Sequence, residues 1–285
     1  MSMSMIVEVA GPLTTVQDLG RPGLAHLGVP RSGALDQPAL LLANRLVGNE
    51  PGAAALEITF GPFVAVVAAA AVIALTGAAA PLRVGGRPAP LNAPVPVRAG
   101  DRIEVGPAVL GLRAYLAVAG GFAPAAVLAS RSTDTLSSLG PPVIRAGTHL
   151  PIGPPTAEPS TVDIAPRPAL GGEITLRITW GPRADRFSDA QRMSGARYHL
   201  GIDSNRIGAR LTGPALTRTD DEELPSEGIV LGAVQVPANG QPLVFLADHP
   251  TTGGYPVVAV VHPADLPLLA QARPGDSVRF CGPQQ

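Results

Sequence analysis

Apolar and polar positions alternate in short runs along most of the chain, and each run stops at a glycine or proline. Residues 6–9 form the first such run; residues 55–60 alternate again and end at Gly61-Pro62. Further strands are predicted at 72–75, 102–105 and 112–118. One helix breaks the pattern after Asp36. That residue is a good N-cap, Pro38 suits a first turn, Leu40, Ala43 and Val47 keep helical spacing, and Gly48 can take the left-handed position after the end. Residues 228–247 predict a hairpin in which Asn239-Gly240 supplies the positive φ angles of a tight turn. The run over 63–80 is the longest apolar stretch, but it breaks after Leu75. That is short of the roughly 20 residues a spanning helix needs, so it predicts two buried strands with a tight connection.

Two echoes organise these elements. "VRAGDRIEVG", "IRAGTHLPIG" and "ARPGDSVRFCG" each place an Arg-x-Gly turn before a short strand, and "LEITFGP" returns as "LRITWGP". Between the two halves lies the proline-rich stretch 151–172, which is unsuited to central strands. The expectation is a mainly β protein with a few short helices, in two β-rich subdomains over 1–165 and 166–285.

Composition narrows the chemistry. There is no lysine, so all 21 basic residues are arginine. This removes Schiff bases, the phosphate-loop lysine and Ser–Lys pairs, because each needs an amine able to release its proton. Arginine stays charged and clamps anions. Aromatic residues make up 4% and the formal charge is −1, which argues against a nucleic-acid surface. The single Cys281 predicts a reducing compartment and a small apolar filler of the last strand. No signal sequence and no His/Cys/Asp metal spacing is evident, so a cytoplasmic chain without metal is expected.

Polar chemistry gathers in four places. Residues 248–256, flanked by apolar strand-like runs, hold Asp248, His249, Thr251, Thr252, Gly253, Gly254 and Tyr255. They either line a site, with hydroxyls and backbone amides aimed at a ligand, or form a long turn. Asp248 and Tyr255 are the acid–base candidates there, with Asp248 rather than His249 facing the cleft. "TTVQDLGRPG" brings Gln17, Asp18 and Arg21 together. Asp18 is either a third acid–base candidate or the centre of an Asx turn with a local Arg21 ion pair. Ser32 follows without a GxSxG context. In "DSNRIGARLTG", Asn205, Arg206 and Arg210 are expected either to bind an anionic group or to pair with Asp220, Asp221, Glu222 and Glu223.

Seven segments in order ("TTVQDLGRPG", "GVPRSGALD…ANRLVGN…ALEIT", "LRAYLAVAGGF", "SNRIGARLTG", "ELPSEG", "AVQVPANGQP" and "TTGGYP") resemble the carboxyltransferase-domain family known as allophanate hydrolase subunit 2. Its members include the C-type chain of ATP-dependent 5-oxoprolinase, the kinase-inhibitor antagonist of sporulating bacteria and half of the urea carboxylase carboxyltransferase domain. The resemblance implies cyclophilin-like barrel architecture and a partner similar to allophanate hydrolase subunit 1, with an active site shared between them. It implies a heterodimer or heterotetramer, with a third subunit in 5-oxoprolinase. ATP would be shared with those partners, and the reaction would open a lactam to glutamate. As a carboxyltransferase, the chain would need biotin on a separate carrier. As a regulator, it would antagonise a partner without catalysis. Gln17, Arg21, Ser32, Asn205, Arg206, Arg210 and the 251–254 segment are the implied substrate contacts. Pro250 and Val257 stand where family members commonly carry glutamine and a basic residue.

Overall fold

The computed structural model describes residues 3–166, 170–220 and 224–283. The proposed partners Asp221, Glu222 and Glu223 lie outside the described residues. The chain divides into two compact units, one of residues 1–21, 36–134 and 138–170, the other of residues 22–35, 135–137 and 171–285.

Among the described residues, the first unit holds eleven strands: β1 (Ser4–Val9), β2 (Leu13–Gln17), β3 (Ala55–Thr59), β4 (Phe63–Val67), β5 (Ala71–Ala79), β6 (Leu82–Val84), β7 (Arg87–Ala89), β8 (Val95–Val97), β9 (Arg102–Val105), β10 (Leu110–Val118) and β11 (His149–Pro151). They make a six-stranded sheet, β11-β1-β4-β9-β6-β7, and a five-stranded sheet, β2-β3-β10-β5-β8. Met5, Val7, Phe63, Ala65 and Ile103 from the first sheet share one core with Val16, Leu56, Ile58, Leu75 and Leu116 from the second. Burying each large side chain of this set contributes about 1.5–3 kcal/mol. The apolar run after Gly61-Pro62 is indeed two strands, β4 and β5. Helix α1 (Gln37–Leu46) starts as expected: the Asp36 carboxylate accepts the Ala39 N–H at 3.0 Å, and Gly48 has φ +74°.

The second unit is built on a closed barrel of β12 (Ile174–Trp180), β13 (Arg197–Leu200), β14 (Gly208–Thr212), β16 (Ala233–Gln235), β17 (Leu243–Phe245), β19 (Val257–Val261) and β20 (Ser277–Cys281), in the order β12-β19-β16-β17-β14-β13-β20. Helix α2 (Leu266–Gln271) precedes β20, and β15 (Glu227–Gly228) pairs with β18 (Thr252–Gly253) as a separate ribbon. The β12–β20 contact is parallel, while β20 meets β13 antiparallel. Leu176, Ile178, Tyr198, Leu211, Val234, Val258 and Phe280 fill the barrel.

Three expectations change. The start of the polar segment 14–23 belongs to strand β2 (Leu13–Gln17), where the Thr14 and Thr15 hydroxyls and the Gln17 amide nitrogen are enclosed and hydrogen-bonded rather than solvated. The β16–β17 hairpin exists, but its connection spans residues 236–242 and only Gly240 has a positive φ there. A two-residue turn is therefore not what sets its register. Cys281 is exposed, on the last strand, rather than a core filler. No helix among the described residues is long and apolar enough to cross a membrane.

Candidate functional site

In the barrel unit, Asp248 collects groups that the sequence keeps far apart. Its Oδ2 accepts from Arg206 Nε at 2.9 Å, from the Thr135 N–H at 3.0 Å and from the Thr135 hydroxyl at 2.7 Å. Its Oδ1 accepts from Arg206 Nη2 at 2.9 Å and from the Ser32 hydroxyl at 2.8 Å. Arg206 Nη2 also donates to the Gly33 carbonyl at 2.7 Å. Burial alone would raise the Asp248 carboxyl, but the Arg206 charge and the hydrogen bonds of Arg206 and Thr135 outweigh it and hold it below the usual carboxylate range. An ionised carboxylate with five donors has little affinity left for a substrate proton. Asp248 therefore acts here as an anchor rather than an open general base.

Ser32 sits on this anchor with φ +55°, a left-handed geometry that costs a non-glycine residue roughly 1–2 kcal/mol. Its N–H donates to the Ala247 carbonyl at 2.9 Å and its hydroxyl to Asp248, so both polar groups hold the strained turn in place. A carboxylate that stays ionised accepts the Ser32 hydrogen bond without drawing the proton away. No nucleophile–base pair forms there.

The expected anion clamp is not assembled as a pair. Arg206 is engaged with Asp248, whereas Arg210 is exposed, donates to the Asp203 carbonyl at 2.9 Å and lies 3.2 Å from its carboxylate. Asn205 accepts from the N–H groups of Ile207 and Gly208 at 2.8 and 3.2 Å, so its carbonyl braces the turn between the two arginines.

The 248–256 loop divides into a buried start and an open end. His249 is buried, and its ring Nδ1 lies 2.7 Å from the Pro250 carbonyl. Thr252 and Gly253 form β18 against Glu227 and Gly228, and Glu227 is itself ion-paired to Arg183. A Cβ at Gly253 would lie 2.5 Å from Ile229 Cδ1 and 3.0 Å from Gln235 Nε2. The glycine at 253 thus answers packing within the protein. Gly254 is exposed, its nearest neighbour at the Cβ position being the Leu224 carbonyl at 3.4 Å. Thr251 is partly exposed, and Thr252 and Tyr255 are open to solvent. These residues and Gly254 form the part of the loop that a ligand or partner can touch.

In the first unit, Asp18 is the centre of a second buried knot. It accepts from the Ser130 and Ser132 hydroxyls at 2.7 and 2.5 Å, and from the N–H groups of Arg131 and Gly20 at 2.6 and 2.8 Å. The Gly20 bond is the expected Asx turn. Arg21 is buried as well and donates to the carbonyls of Val127 and Ser132 at 3.0 and 2.6 Å. Gln17 lies on the preceding strand, enclosed.

Close by in sequence register, β3 and β10 carry a cluster absent from the sequence expectations. The Tyr115 hydroxyl donates to Glu57 at 2.7 Å and accepts the Asp36 N–H at 2.8 Å, and Arg113 Nε stands 3.7 Å from Glu57. Burial, then the charges of Glu57 and Asp36, raise the Tyr115 hydroxyl well above its ordinary range, so it stays a donor. The missed signal was alternation. In "ALEIT" the apolar Leu56 and Ile58 point one way, which leaves Glu57 on the other face. Among the described residues, no three of His, Cys, Asp and Glu gather in a metal-binding group.

Residues 27–282 match the family described as carboxyltransferase domain, subdomain A and B, and the chain belongs to that family. It is 40% identical to the C-type chain of the 5-oxoprolinase of Escherichia coli (strain K12) over 276 residues, which is 95% of this chain and 88% of that one. It is 34% identical to the corresponding 5-oxoprolinase chain of Haemophilus influenzae over 271 residues, 93% of this chain and 87% of that one. The crystal structure of the K. lactis urea amidolyase superposes with a TM-score of 0.91 at 29% identity, over 97% of this chain but only 18% of that one.

Proposed function

We propose that this member of the carboxyltransferase-domain family works as the C-type chain of an ATP-dependent 5-oxoprolinase, which opens the lactam of 5-oxoproline to glutamate. One observation carries the reading: the 40% identity to the Escherichia coli protein extends over 95% of this chain and 88% of the relative. The likeness to the urea amidolyase is equally complete for this chain but accounts for only 18% of that enzyme.

Ring opening adds the oxygen of water to the lactam carbonyl carbon and breaks the C–N bond, and the nitrogen leaves as an amine that takes up protons. An amide resists this, and ATP, as co-substrate, supplies the driving force. Two features of this chain support a shared site. It has no lysine with which to grip a phosphate, and one of the two glycines of the 251–254 segment, Gly253, is already packed against Ile229 and Gln235. The nucleotide is therefore assigned to a site completed by a partner similar to allophanate hydrolase subunit 1. This chain contributes the barrel loop at Thr251–Tyr255, positioned by the Asp248 anchor, and arginine rather than lysine for anionic groups.

A carboxyltransferase role with a separate biotinylated carrier is the second reading, favoured by the TM-score of 0.91 to the urea amidolyase. The test is co-expression with the neighbouring subunits, followed by measurement of glutamate and ADP from 5-oxoproline and ATP. Stoichiometric, lactam-dependent formation of both supports the first reading. A complex that carboxylates a urea or amide substrate from carboxybiotin, and leaves 5-oxoproline intact, replaces it with the second.

A further inference from the structure

The five-stranded sheet of the first unit has two unlike faces. Val16, Leu56, Ile58, Leu75 and Leu116 point into the apolar core. The opposite face carries Thr15, Glu57, Tyr115 and Thr76, which are successive cross-strand partners on β2, β3, β10 and β5. None of the four is more than 1% exposed. A row of enclosed polar groups spanning four strands is a costly way to cover a sheet unless each member is answered.

Most of the row is answered within the fold. Tyr115 bridges Glu57 and the Asp36 N–H, and the Thr76 hydroxyl donates to the Ala39 carbonyl at 2.7 Å. The exception lies at the β2 end. The Gln17 amide nitrogen donates to the Thr15 hydroxyl oxygen at 3.0 Å and to the Thr133 carbonyl at 2.9 Å. The Thr133 carbonyl needs a donor, which fixes the amide orientation and leaves Gln17 Oε1 pointing elsewhere. That oxygen belongs to a residue with no exposed surface, and no donor among the described residues reaches it. Its cross-strand neighbour is Ala55, whose methyl group offers nothing.

We propose that Gln17 and Thr15 form a recognition site for a cis-amide. Gln17 Oε1 accepts the ligand N–H, and the Thr15 hydroxyl, which accepts from Gln17 and keeps its own proton to give, donates to the adjacent C=O. A lactam ring or a urea presents N–H and C=O on one edge, whereas a trans peptide bond presents them on opposite sides. The site thus selects small cyclic amides and ureas over peptides. This inference rests on the lactam-opening reading above and assigns its amide-binding residues.

The probes are 2-pyrrolidinone, a bare lactam, and N-methyl-2-pyrrolidinone, which lacks the N–H. Each is titrated by NMR into the full chain, with the Gln17 side-chain amide followed through selective labelling. The unmethylated lactam is expected to shift the Gln17 resonance and to bind more than about tenfold tighter than the methylated one, because a site built around a hydrogen bond rejects the analogue lacking it. Gln17→Met and Thr15→Val should each lose this preference, Gln17→Met with a lowered melting temperature because it takes the Gln17 donor from the buried Thr133 carbonyl, and Thr15→Ser should retain it. Equal binding of the two lactams, no binding of either, or an unchanged preference in Gln17→Met overturns the proposal. Should Gln17→Met fail to fold, the two lactams on the unaltered chain still decide. Neither ATP nor turnover enters this readout. A complex that never opens 5-oxoproline, beside a chain that discriminates the lactams through Gln17, removes the functional reading and leaves this one; normal turnover by a Gln17→Met complex does the reverse.

Discussion

Arg206 and Asp248 meet edge to edge, Nε to Oδ2 and Nη2 to Oδ1 both at 2.9 Å, with both side chains wholly enclosed. Removing one partner strands the other's charge away from water. Arg206→Ala should therefore cost about 3–5 kcal/mol of unfolding free energy. Arg206→Lys keeps the charge but cannot reproduce the two parallel bonds, so it should still lower the denaturation midpoint clearly. A midpoint for Arg206→Lys equal to that of the unaltered chain would show that the fork geometry is irrelevant.

The same pair sets an acid limit. The folded Asp248 carboxyl lies below its unfolded value, so its contribution is fully present above the ordinary carboxylate range and is lost as pH falls through the lower, folded value. Denaturation curves recorded from neutral pH downward should show the gap between the unaltered chain and Asp248→Asn narrowing only in acid. A gap that stays constant across the whole range would contradict this.

Tyrosine ionisation gives the alkaline counterpart. Burial pushes the Tyr198 hydroxyl up to about 12, and Tyr115 is raised as well. The folded state then keeps protons that the unfolded chain releases above about 10, so stability should fall as pH rises through that window. Phenolate absorbance should accordingly show two of the three tyrosines still silent as pH passes the ordinary tyrosine range, with Tyr198 ionising only at about 12 or on unfolding. An early rise with the fold intact would refute the assignment.

The two loop glycines should separate packing from contact. Gly253→Ala pushes a methyl group into Ile229 and Gln235 and should destabilise by about 1–3 kcal/mol. Gly254→Ala meets only the Leu224 carbonyl at 3.4 Å and should leave melting nearly unchanged. Turnover of the assembled complex then reports on the loop itself. Full activity of Gly254→Ala and of Tyr255→Phe together would remove the open end of the loop from the site.

Asp18 gathers four donors in the first unit, two of them serine hydroxyls from a loop more than a hundred residues away in sequence. Asp18→Ala leaves buried donors unanswered, each costing about 1–3 kcal/mol, so it should destabilise severely. Asp18→Asn, which still accepts, should be milder. Urea denaturation of the two variants checks the order.

Local chemistry was legible in the sequence wherever neighbours in the chain decide structure. The Asp36 cap, the break at Gly61-Pro62 and the Arg-x-Gly turns are all of this kind, and Gly100, Gly147 and Gly275 take positive φ in those three turns. What stayed hidden depends on register. Arg206 finds Asp248 42 positions on, and Thr135 finds it across 113. Strand β2 was obscured because threonine and glutamine suggest solvent until the row that encloses them is known. Among the candidate residues, Arg206 and Asp248 turn out to be occupied by one another and Gly253 by packing.

The barrel closes through its last strand, which pairs in parallel with β12 and antiparallel with β13. During synthesis both of those partners leave the ribosome long before residues 277–281 exist, so each waits with an unsatisfied edge. A message truncated ahead of that segment yields a chain with two sticky strands and an open wall, prone to pair with its own copies. Joining the final strand to the first of its barrel thus makes proper folding of this unit conditional on translation having run past Cys281.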